Sequence, residues 1–116
     1  MDGSQVNKLE AFFSTEVSLR KGTLDEAIEK YFELGWTDGL PVVPPTENKV
    51  LEFVENLGGD PDFVECKVPP RWGGLSRGVL AVNMIMAGCK AEYAPVVRAA
   101  MLALTDSKFN LNGVQA

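Results

Sequence analysis

The chain has 116 residues, 46% of them apolar, and a formal net charge of −5 with no histidine. That length allows one small domain, and the apolar share excludes a disordered chain. The acidic balance argues against nucleic acid or an anionic membrane as the main partner. The lack of histidine rules out a Ser-His-Asp triad or a histidine zinc site made by this chain alone.

Residues 1–22 read as an N-terminal arm. Leu9, Phe12 and Phe13 have partial helical spacing, and Gly22 closes the segment. The N-terminus has no basic region followed by an apolar one, so no secretory signal is expected. The small domain is expected over 23–116. Its first helix is predicted over 24–34. Thr23 and Glu26 have the spacing of a capping box, and Leu24, Ala27, Ile28, Tyr31 and Leu34 make one apolar face. Gly35 suits the helix stop.

The segment Trp36-Thr37-Asp38-Gly39-Leu40-Pro41-Val42-Val43-Pro44-Pro45-Thr46-Glu47 follows. Its prolines fix φ and push the preceding residues toward extended conformations, so a stiff arm is expected to hold Thr37 and Asp38 in place. Asp38 has two readings: an oriented functional carboxylate, or a turn residue of an Asp-Gly pair satisfying the local backbone. Thr46 is predicted to cap a second helix, about 47–57, with Val50, Leu51, Val54 and Leu57 inward and Gly58-Gly59 as the stop.

A short strand is predicted around Cys66 and Lys67, ended by Pro69-Pro70. Arg71-Trp72-Gly73-Gly74 reads as a second special loop. Arg71 could grip a carboxylate or phosphate, or could form an internal salt bridge to Asp38 or Glu47. The glycines before a helix faintly resemble an anion site, without Walker or Rossmann spacing.

Leu75–Ala87 is nearly all apolar, and a helix there must be buried on most sides. Its Asn83 is expected to be a buried amide that binds a ligand or ties backbone groups together. The longest apolar run, 81–88, is far short of the roughly 20 residues of a membrane span. Cys66 and Cys89 lack metal or disulfide-scaffold spacing and read as reduced and buried. Another helix is expected up to Leu104, starting near Tyr93 or Ala94 because Pro95 belongs in a first turn. Asp106–Ala116 reads as a turn and a strand-like end, rich in the amides Asn110, Asn112 and Gln115. The expected fold is α+β, mainly helical, with four to five helices and one or two short strands, completed by a partner chain.

Four stretches together resemble a known group. They are Trp36–Glu47, then Val68-Pro69-Pro70-Arg71, then Asn83-Met84-Ile85-Met86-Ala87-Gly88-Cys89 with Glu92-Tyr93, then Phe109-Asn110-Leu111-Asn112-Gly113-Val114-Gln115-Ala116. Over 24–116 they resemble bacterial proteins carrying a UGSC-like domain. The resemblance implies a fold neighbourhood rather than a reaction. The group's Sec/Cys-Gly-Ser-Cys motif is absent, so its redox chemistry does not carry over. Members of the group are longer and continue past the Gly-Val-Gln-Ala segment. The ending at Ala116 then has three readings: a short subunit, a piece of a longer chain, or a precursor cleaved to free a Thr or Ser nucleophile by autoproteolysis.

The functional expectation is a cytoplasmic small subunit, or processed fragment, of a heteromeric bacterial enzyme. A second chain supplies the nucleophile for hydrolase- or lyase-type chemistry on a small polar or anionic substrate. Asp38 and Arg71 are the expected catalytic, orienting groups, and Thr37, Trp72, Asn83, Asn110, Asn112 and Gln115 the substrate-binding ones. No metal ligand set is identified, and the sequence leaves the cofactor open. The competing expectation is a non-catalytic assembly module that stabilises a larger catalytic chain. A thiol redox protein using Cys89 ranks below both.

Overall fold

The structure is a computed structural model and describes residues 24–115. The arm 1–22, the Thr23 half of the capping box and Ala116 lie outside these residues. Among them are five α-helices and one two-stranded sheet, a mainly helical α+β arrangement. Helix α1 spans Leu24–Glu33, α2 Glu47–Asn56, α3 Arg77–Met86, α4 Ala94–Leu104 and α5 Leu111–Val114. Strands β1 (Val64–Val68) and β2 (Gly73–Ser76) form an antiparallel hairpin.

The core is built where the apolar periodicity places it. Val50, Phe53, Val54 and Leu57 of α2 and its end meet Leu80, Ala81, Val82, Met84 and Ile85 of α3, with Ala94 at the start of α4. Thr46 caps α2 by accepting the Lys49 N–H. The helix stops at Gly58, whose φ of +115° is open to glycine. A Cβ there would also lie 3.2 Å from the Arg77 guanidinium.

The stiff segment after α1 is partly a turn and partly extended. Trp36 stacks on buried Tyr31, with ring centroids 5.2 Å apart, and Pro45 is fully buried. The Val43 N–H donates to the Met86 carbonyl at the end of α3, which ties the segment to the core.

Three sequence expectations are corrected. Leu75 and Ser76 belong to β2, and α3 begins at Arg77. Gly73 and Gly74 are therefore strand residues opposite Val68 and Lys67, not the start of a helical anion site. The amides that open α3 are already taken: Ser76 Oγ accepts from Val79, the Phe63 carbonyl from Arg77 and the Pro61 carbonyl from Gly78. Finally, the last described residues are helical. A 3-10 turn, Ser107–Phe109, leads through left-handed Asn110 into α5. A strand at this end would need an edge to pair with, and Leu111–Gln115 instead satisfies its backbone locally, with Gln115 donating to the Leu111 carbonyl at 2.9 Å.

Candidate functional site

The hairpin turn and the chain's end together form one cleft of about 220 Å³. Pro69 and Trp72 of the β1–β2 turn line one side. Leu104 and Thr105 at the end of α4, Asp106 and Ser107 of the 3-10 turn, and Asn110, Leu111 and Asn112 at the start of α5 line the rest. Three of the residues expected to bind substrate, Trp72, Asn110 and Asn112, are thus brought together from positions some forty apart in the chain.

Local bonds hold the polar lining. Asp106 caps the 3-10 turn, its Oδ1 accepting the Lys108 N–H at 2.9 Å. Thr105 Oγ1 donates to the Met101 carbonyl at 2.7 Å. The Asn110 side chain lies against Gly113, where an added Cβ would come within 2.5 Å of its amide nitrogen. Trp72 has φ of +58° and its side chain is half exposed. A bulky residue in the left-handed region costs on the order of 1–3 kcal/mol, so the surrounding turn must impose it. The effect is to present an indole to the cleft.

The other expected site residues stand elsewhere. Asp38 is exposed and its Oδ1 accepts the Leu40 N–H at 3.2 Å, the bond of an Asx turn. Thr37 Oγ1 works in the same turn, donating to the Leu40 carbonyl and accepting from Gly39. Arg71 is exposed; among the described residues no hydrogen bond or ion pair joins it to Asp38 or Glu47. Neither Asp38 nor Arg71 lines the cleft. Gln115 is exposed at the end of α5.

Asn83 is not a buried amide. It lies on the exposed side of α3 and donates from Nδ2 to the Val79 carbonyl one turn back at 2.9 Å. An apolar helix packed on the core still keeps one outer face, and the one amide of the segment occupies it.

The strongest electrostatic feature was not expected from the sequence. The Glu65 side chain, 1% exposed, receives Arg77 Nε at 2.5 Å and Arg98 Nε at 2.8 Å. Arg77 also donates from Nη1 to the Gly59 carbonyl at 2.7 Å and lies over the Phe63 ring, 4.1 Å from its centroid. The β-bulge between Val64 and Cys66 leaves Glu65 without a partner residue on β2, and this re-aims its side chain inward. Burial raises the pKa of this carboxyl. The hydrogen bonds and charges of both arginines outweigh that and hold it below the ordinary glutamate value. The network spans 12 and 33 residues of sequence and carries no local motif. The available signal was an acid inside an apolar strand and an arginine opening an apolar helix.

A second cleft, of about 270 Å³, holds Lys49, Glu52, Cys89 and Lys90. Cys66 and Cys89 are free and half-buried, which makes them more accessible than expected. Among the described residues no cluster of acids and cysteines could hold a metal ion, and no helix is long and apolar enough to cross a membrane.

No family model, no curated protein and no solved structure matches the chain.

Proposed function

We propose that this chain is the small subunit of a two-chain enzyme and holds a small polar substrate in the Trp72 cleft. A second chain would supply the nucleophile for a hydrolytic or lyase-type step. The observation that carries the reading is the convergence of Trp72, Asn110 and Asn112 on one cleft with Asp106 and Ser107 beside them. An apolar wall with a few convergent polar groups is what small-ligand sites are made of. Amide side chains there can donate to and accept from a polar substrate, and the indole can cover it.

The substrate lies in the cleft rather than between Asp38 and Arg71, because no hydrogen bond or ion pair joins those two and Asp38 already closes its own turn. A second chain is supported by the apolar side chains left at the surface by the chain's end: Phe109 is 47% and Val114 69% exposed. The likeness to UGSC-like proteins is part of the same proposal, rests on the four motifs, and leaves the reaction open.

A panel of small polar molecules, containing an acid, an amine, an amide and a polyol, tests the cleft by 1H–15N NMR of the full chain. At least one member is expected to shift the Trp72 indole N–H and the Asn110 and Asn112 side-chain amides, and Trp72→Ala is expected to abolish that binding. A panel that leaves all three groups unmoved contradicts the reading. So does a Trp72→Ala chain that binds as well as the parent.

Exposed Val96 and Leu102 on α4 favour a second reading, a non-catalytic assembly module. The Trp72→Ala chain separates the two. A subunit with the site loses turnover and keeps its complex, whereas a module has no turnover to lose.

A further inference from the structure

We infer that the Trp72 cleft takes an organic ammonium group, seated on the indole face with its charge answered by Asp106. The inference rests on the reading of the cleft as a ligand site and adds the class of ligand. The charges of the lining decide it. Among the described residues that line the cleft, Asp106 is the single ionisable one, and neither lysine nor arginine is among them. An anionic ligand would meet a carboxylate with no cation among the described lining residues to offset it, and like charges at short range repel. A cation meets the opposite situation.

The remaining lining residues suit the same ligand. Indole is the best of the side-chain rings for holding a cation over its face. Trp72 is half exposed and held in the left-handed region, so its ring is available rather than buried in the core. The amide oxygens of Asn110 and Asn112 and the Ser107 hydroxyl can accept N–H bonds from a primary ammonium. Asp106 Oδ1 is held by the Lys108 N–H, which fixes the carboxylate in place. Among the described residues, Arg71 and Lys108 adjoin lining residues in sequence without lining the cleft themselves. The net charge of −5 adds a field that favours cationic ligands over anionic ones.

Three probes of similar size and different charge test this: n-butylammonium, 1-butanol and butyrate. Each is titrated into the full chain while the Trp72 indole N–H signal is followed. The n-butylammonium ion is expected to bind at least tenfold more tightly than either of the others. Asp106→Asn is expected to weaken it by fivefold or more. This substitution keeps an oxygen able to accept the Lys108 N–H, so the 3-10 turn is retained and only the charge is removed. Butyrate or 1-butanol binding as tightly as the amine overturns the ammonium assignment and leaves the cleft standing as a ligand site. An unchanged affinity in Asp106→Asn does the same. A Trp72 signal unmoved by all three probes overturns this assignment, and the cleft itself falls only with the polar panel, by an unmoved response to all its members or by unweakened binding in Trp72→Ala.

Discussion

Glu65 is the residue on which most of the polar architecture turns. A carboxylate this buried is tolerated because two guanidiniums reach it and because Arg77 is itself tied to the Gly59 carbonyl and the Phe63 ring. Removing one partner of a buried pair leaves the other uncompensated, at a cost of about 3 kcal/mol or more. Glu65→Gln is therefore expected to lower Tm by roughly 15 °C, taking about 5 °C per kcal/mol for a domain this size. The two arginines are not equivalent. Arg77 is 13% exposed and has three partners among the described residues, while Arg98 is 41% exposed and has one. Solvent screens the Arg98 pair, so Arg98→Ala is expected to cost about 1 kcal/mol. Arg77→Ala is expected to cost several times that. Thermal unfolding of the three variants checks the order, and equal losses at Arg77 and Arg98 would contradict it.

At the scale of elements, the short end helix α5 shapes the cleft through one glycine. Gly113 leaves room for the Asn110 side chain, and a methyl there would come within 2.5 Å of the amide nitrogen. Gly113→Ala is expected to leave the far-ultraviolet circular dichroism nearly unchanged, while moving the Asn110 amide signals and weakening ligand binding several-fold. Unmoved Asn110 signals would contradict that geometry. The same elements show how far a sequence can be read. Helices α1 to α4 were legible because their signals are local: Thr46 capping α2, a 3.6-residue apolar period and Pro95 in the first turn of α4. The cleft was half legible. Trp72, Asn110 and Asn112 were singled out as unusual residues, but nothing local says that a hairpin turn meets the end of α4. The strand expected over 111–116 is not formed by its described residues 111–115, because the alternation of Leu, Asn, Gly and Val fits a strand only when an edge is there to pair with it. The Glu65 network was missed because its one signal, an acid inside an apolar strand, names no partner, and a bulge rather than the side-chain alternation aims Glu65.

For the whole molecule, the depressed pKa of Glu65 makes stability depend on pH in one direction. The group is harder to protonate folded than unfolded, so its contribution is fully present above its unfolded value, about 4.5, and is lost as pH falls through its folded value. Chemical denaturation is expected to give a stability difference between the parent and Glu65→Gln that is constant from about pH 7 to 5.5 and shrinks as the medium is acidified below about 4.5. A difference that grows on acidification would contradict the network. The claim on which the functional account stands is the location of the site. A backbone amide shift map of the full chain under saturating n-butylammonium measures it directly. The account predicts shifts confined to residues 69–73 and 104–113. Shifts centred on 37–40, or on 49–53 with 88–91, would contradict it.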